Sequence, residues 1–137
     1  MASVEALRAA LANWATRAET PTEDGTAQSL LAAAEDLLRC PPDVSEAGRA
    51  AWHEFLLRTG TPDFLERLDT PARHRWADAA IAAVRRSGYT LETMLAQRVA
   101  AHPDRVLFSD RREEATPEWS YAQVAWYARS VAGVFLG

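Results

Sequence analysis

Thr90-Leu91-Glu92-Thr93-Met94-Leu95-Ala96-Gln97-Arg98-Val99-Ala100-Ala101-His102-Pro103-Asp104-Arg105-Val106-Leu107-Phe108-Ser109 is the stretch that decides how this chain is organised. Thr90 stands where a helix cap belongs, and its hydroxyl can accept one of the free amides of the first turn. Leu91, Leu95 and Val99 then recur at helical spacing and are expected to face inward. Pro103 has no amide to donate and biases the residue before it away from helical backbone, so the helix ends near Ala101. Val106 to Ser109 reads as a strand, and a short segment near Trp119 can pair with it as a β-hairpin. The connection between them, Asp110 to Pro117, is charged and long for a hairpin. Ser120 caps a last helix whose expected inward positions are Val124, Ala128, Val131 and Phe135.

Upstream of Thr90, helical periodicity dominates. Val4, Leu7, Leu11, Trp14 and Ala18 fall on one face, with Ser3 as the cap. Residues 19–25 are polar and contain Pro21 and Gly25, so they read as a loop. A second helix is expected from about Thr26 to Arg39, with Leu30, Leu31, Ala34, Leu37 and Leu38 inward, stopped by Pro41-Pro42. Ser45 can cap a third, carrying Ala51, Trp52, Phe55 and Leu56 and ending at Gly60. Thr61-Pro62 and Thr70-Pro71 each set a capping hydroxyl before a proline at the first helical position, where no amide is missed. They predict a short helix at 62–68 and a longer one at 71–86 that buries Trp76, Ala80, Ala83 and Val84. Arg85 and Arg86 fall in its last turn, where the helix dipole favours cations, and Gly88 ends it.

The expected fold class is mainly α. Residues 1–88 form a helical bundle, an appended domain of about five helices, and residues 89–137 add helix, short β-hairpin and helix.

The order of residues 89–137 resembles the first segment of the adenylate-forming (AMP-binding) synthetases, which include acyl-CoA synthetases and peptide-synthetase adenylation domains. The residues that carry the resemblance are Thr90, Leu91, Pro103, Asp104, Val106, Ser120, Tyr121 and Gln123, and it leaves residues 1–88 unexplained. It implies the N-terminal fragment of an ATP-dependent carboxylic-acid ligase. Such a parent forms an acyl-adenylate and transfers the acyl group to CoA or a carrier-protein thiol, with ATP and Mg as its cofactors. Trp119, just before Ser120-Tyr121, leans toward fatty or aryl acyl-CoA ligases. The resemblance stops short of chemistry. Family members hold ATP phosphates on a Ser/Thr/Gly-rich loop ending in Pro-Lys and use a further lysine from a small C-terminal domain. All fifteen basic residues here are arginines, and arginine does not replace a lysine acting as a compact point charge. The fragment is therefore expected to be non-catalytic, with no catalytic, cofactor-binding or metal residue of its own. The other reading, of a different class, makes the bundle a docking or oligomerisation module at the front of a fatty-acid, peptide or polyketide synthase protein.

Composition bounds both readings. Hydrophobic content of 48% and charged content of 25% are those of a folded soluble protein. The net charge of -4 gives no basic face for nucleic acid. No run approaches the ~18 apolar residues of a membrane span, and the N-terminus does not read as a signal peptide. Cys40 is the only cysteine, which suits a reducing cytoplasm. Expected partners are the remainder of the ligase domain, a carrier protein, or a second copy of the chain.

Each chemistry-bearing residue has a plainer role open to it. His53, His74 and His102 are not at metal-ligand spacing, so solvated or locally bonded histidines are expected rather than a zinc site. A Cys40–His53 nucleophile pair is conceivable, but Cys40 follows an apolar helix and precedes two prolines, which favours a structural thiol. Trp14, Trp52 and Trp76 fall one each on three helices and are expected to share a core rather than form a ligand platform. Arg73-His74-Arg75 with Arg85-Arg86 can make a basic patch, but helical geometry spreads them over several faces beside Asp78. Arg111-Arg112-Glu113-Glu114 reads as a solvent-facing turn. The last helix keeps Val131, Val134, Phe135 and Leu136 to its final turn, so its apolar surface is expected to need a partner.

Overall fold

A computed structural model describes residues 2–17, 25–109 and 117–136. The expectations for Ala18, for most of the 19–25 loop and for Asp110 to Thr116, including Arg111 to Glu114, lie outside the described residues. So do those for the side chains of Phe135 and Leu136.

The elements are α1 (Val4–Arg17), α2 (Gly25–Arg39), α3 (Glu46–Thr59), α4 (Pro62–Glu66), α5 (Thr70–Ser87), α6 (Leu91–Ala101), β1 (Val106–Ser109), β2 (Glu118–Ser120) and α7 (Tyr121–Leu136). The protein is mainly helical. It divides into two compact units, Met1–Tyr89 and Thr90–Gly137.

In the first unit α1 packs on α2 and α3, and α5 packs on the same two helices, so the contacts close a ring of four. The short α4 adds Phe64 to the interior. One continuous core results, built from Leu7, Leu11, Leu30, Leu31, Phe55 and Leu68 among others. Trp14 and Trp52 are buried in it and Trp76 packs against it. Trp14 is held on two sides. Phe64 meets its ring edge-on at 5.0 Å, and the Arg67 guanidinium lies 5.4 Å from its centroid. That cation–π contact adds to apolar burial rather than competing with it.

Local chemistry explains where these helices begin and end. Ser3 accepts the Ala6 amide at 3.1 Å, Ser45 that of Gly48 at 3.0 Å and Thr61 that of Phe64 at 3.4 Å. The start of α3 is further tightened by Asp43, whose carboxylate accepts the Ser45 amide at 2.9 Å. A Cβ on Gly48 would lie 2.6 Å from the Asp43 carbonyl oxygen, so only glycine fits beneath this turn. Gly88 ends α5 in left-handed backbone at φ 62°, which a side chain would strain.

Two expectations about α5 need correction. Its cap is Asp69, not Thr70: the carboxylate accepts the Ala72 amide at 2.8 Å, and Thr70 is already helical. Its core face runs through Ala72, Ala79 and Ala83, with Trp76 half-buried and Ala80 intermediate, while Val84 is exposed. The small alanines let α5 approach the aromatic core of α3 closely, and the bulkier Ile81 and Val84 turn outward.

In the second unit α6 and α7 pack together, and β1 and β2 form an antiparallel two-stranded ribbon. Val106 pairs with Ser120, Phe108 with Trp119 and Ser109 with Glu118, leaving Leu107 as an extra residue in a bulge. Thr90 caps α6 by accepting the Thr93 amide at 3.1 Å. Ser120 and Gln123 make a reciprocal capping box on α7, at 2.8 and 3.3 Å. Burial departs from the expected faces. Leu91 is 75% exposed, Ala128 and Val131 are exposed, and among the described side chains of α7 the buried one is Ala125. A helix with apolar residues on every side, as α7 has, gives periodicity nothing to select.

Candidate interaction surface

The second unit carries a row of four aromatic rings. Phe108 of β1 stacks on Trp119 of β2, with centroids 6.3 Å apart and an interplanar angle of 27°. Trp119 meets Tyr127 of α7 edge-on at 5.1 Å, and Tyr127 meets Trp126 edge-on at 5.2 Å. The ribbon and the helix are clamped by these rings, yet the row is not a core. Trp126 is 65% exposed, and Phe108 and Tyr127 are about half exposed. Every residue of β1 is exposed. Exposed apolar surface of this kind marks a place where something else packs.

A second feature of the same unit is a groove of about 530 Å³ between α6 and α7. Leu91 and Leu95 form one wall and Ala125, Ala128 and Ala132 the other, with Glu92 and Arg129 at its edge. It is lined by more apolar than polar side chains and holds no convergent set of polar groups of the kind that orients a small ligand.

Four of the residues that carry the resemblance, Pro103, Ser120, Tyr121 and Gln123, meet at the start of α7. The carbonyl of Pro103 accepts the Ala122 amide at 3.0 Å and that of Arg105 accepts the Tyr121 amide at 3.1 Å. With Ser120 and Gln123, they occupy the free amides at this helix start.

The first unit uses its polar side chains to finish helix C-termini across the ring. Arg86 of α5 donates to the carbonyls of Leu37 at 3.3 Å, Cys40 at 2.9 Å and Leu38, all at the end of α2. Arg73 donates to the Leu65 carbonyl of α4 at 2.9 Å. His53 of α3 bonds the Ser87 carbonyl of α5 through Nε2 at 3.3 Å and lies against Tyr89. Trp76 of α5 donates through Nε1 to the Thr59 hydroxyl of α3 at 2.9 Å, and Thr59 donates to the Phe55 carbonyl at 2.8 Å. Cations suit these positions because the carbonyl end of a helix is partially negative.

The remaining candidates are accounted for individually. His74 is exposed on α5, and the His102 amide donates to Arg98 at the end of α6. The Cys40 thiol is half-buried near the carbonyls of Asp36 and Ala2, at 3.7 and 3.9 Å, and His53 is engaged at Ser87. The arginines of the expected basic patch are divided: Arg73 and Arg86 serve helix ends, Arg75 faces Glu35 at 3.4 Å, and Arg85 is exposed. Among the described residues no group of three or more His, Cys, Asp or Glu could hold a metal ion. The chain has no lysine and no glycine-rich phosphate loop, the features by which the resembled synthetases hold ATP phosphates. Among the described residues no helix is long and apolar enough to cross a membrane.

No protein-family model matches this chain, and comparison with curated proteins and with solved structures gives no match.

The sequence anticipated the hairpin and every expected cap but that of α5, and it did not anticipate the aromatic row. Its signal was available: a Trp in a short strand, an exposed-strand Phe opposite, and a Trp-Tyr pair about two helical turns on.

Proposed function

We propose that residues 89–137 are the leading segment of an AMP-forming carboxylic-acid ligase domain. The parent protein activates an acid with ATP to an acyl-adenylate and passes the acyl group to CoA or a carrier-protein thiol. The observation that carries this reading is the mismatch inside the second unit. The starts of α6 and α7 are chemically complete, with Thr90, Pro103, Arg105, Ser120 and Gln123 all engaged, while among the described residues β1 and most of the aromatic row stay exposed. That combination fits a segment specified to dock into a larger domain. The groups the chemistry requires are then supplied by the rest of that domain.

The test is to capture the native protein from its source cells with an antibody against residues 1–88. Its intact mass and its carboxylate-dependent ATP–pyrophosphate exchange are then measured. The expected result is a species several times 15.1 kDa with exchange activity, and no exchange by the purified 137-residue chain. A native species of 15.1 kDa without exchange sinks the reading.

A second reading is supported by the first unit. Its core is one cluster of residues drawn from α1 to α5, yet α5 turns Ile81 and Val84 outward. This suits a docking or oligomerisation module carried in front of a biosynthetic domain.

A further inference from the structure

The outer face of α5 has the layout of a self-complementary helix pair. At 100° per residue, Ala72, Ala79 and Ala83 fix the direction of the core. Ala77, Ile81 and Val84, spaced four and three residues apart, fall on the opposite side. Ile81 is 54% exposed and Val84 37%. This is the 3-4 spacing that seats one helix against another. Asp78 and Arg85 lie seven residues apart along one edge of the stripe, both exposed. With Ile81 they line one shallow depression. Neither is in an ion pair among the described residues.

We propose that this face pairs with the same face of a second copy of the chain, the two α5 helices running antiparallel about a two-fold axis at Ile81. The charges select that geometry. The midpoint between Asp78 and Arg85 falls beside Ile81, so a dyad there sets Asp78 against Arg85 of the second copy and Arg85 against its Asp78. A two-fold interface requires this reciprocity. A parallel two-fold pair would instead put this edge of the two helices on opposite sides of the seam, where Asp78 and Arg85 find no partner in each other. The apolar stripe supplies the affinity, and the exposed ion pairs set direction more than strength. With one narrow stripe, the dimer is weak and forms in the upper micromolar range. The proposal gives the docking-module reading one definite surface and rests on that reading.

Light scattering on the full chain over a concentration series tests it, with circular dichroism confirming that each variant is folded. The expected mass rises toward twice 15.1 kDa. Ile81→Asp abolishes the rise. Asp78→Arg and Arg85→Asp each weaken it by about tenfold, because both ion pairs turn repulsive at once. Mixing the two charge variants restores dimers, since each then presents the charges the other lacks. Association that ignores all three substitutions, or a mixture that stays monomeric, overturns α5 pairing while leaving a docking role through another surface intact. A chain that is monomeric at every concentration also overturns it.

Discussion

The two units solve the same problem to different depths. In residues 2–89 helix ends meet side chains from elsewhere in the bundle or their own caps, and behind those ends lies one closed core. In the second unit the starts of α6 and α7 are capped as fully, but the aromatic rings there stay in contact with solvent. Local signals and burial are thus separable. Caps, turns and a bulge specify a backbone path without supplying the apolar area that makes a domain stable on its own.

Substitutions can break this comparison, and the largest effect belongs to Phe64. Phe64→Ala removes a fully buried ring packed on Trp14, and is expected to cost about 3–5 kcal/mol in denaturant unfolding. Trp126→Ala deletes a larger side chain from the second unit and is expected to cost under about 0.5 kcal/mol, because most of that ring is already in water. Equal losses at the two sites would mean that the aromatic row is a core after all.

Arg86→Met comes next. It keeps the aliphatic stem but takes a donor from the carbonyls of Leu38 and Cys40 and one of two from that of Leu37, for an expected loss of about 2 kcal/mol. Arg86→Lys should recover only part of this, because a point-like ammonium cannot reproduce the planar fork. Full recovery would reduce the interaction to charge at a helix end.

The glycines sharpen the contrast further. Gly48→Ala is expected to destabilise the bundle by about 1–3 kcal/mol despite the better helix former, because its Cβ would collide with Asp43. Gly133→Ala in α7 meets nothing within 4 Å and is expected to stabilise that helix by roughly 0.5–1 kcal/mol. Helicity by circular dichroism and thermal midpoints report both.

The smallest effect concerns acid. The Ser45 hydroxyl, and then its amide, hold the Asp43 carboxyl below the usual carboxylate value. The deprotonated form therefore favours the folded state. That contribution is complete above the ordinary Asp value of about 3.9 and is lost as pH falls through the lowered folded value. Asp43→Asn should slightly flatten the acid limb of the stability profile. An unchanged limb would assign the start of α3 to Ser45 alone.

Much of this was legible from single residues. Ser3, Ser45, Thr61 and Thr90 cap the helices that their positions promised. The three N-terminal tryptophans share a core, because each lies on an apolar face beside small alanines. What escaped the sequence was orientation. On α5 the expected inward set of Trp76, Ala80, Ala83 and Val84 holds fully only at Ala83, because close packing against α3 selects Ala72, Ala79 and Ala83 and turns Val84 out. Asp69 took the cap from Thr70 because either side chain suits the position and the carboxylate reaches the Ala72 amide. On α7 the expected inward Ala128 and Val131 are exposed and Ala125 is buried, because a helix apolar on every side gives periodicity nothing to select. The arginine-to-carbonyl bonds between α2 and α5 join residues 46 to 49 positions apart, a distance that no local pattern spans.

The Arg86 clasp on Cys40 has an experimental consequence. Cys40 is the chain's one thiol, and its own carbonyl is among those that Arg86 grips. Its thiol is half-buried, so the change in its labelling rate between the native chain and Arg86→Met reports how far the clasp shields the end of α2. The protein thus carries its own reporter for that corner of the bundle, with no probe to be engineered.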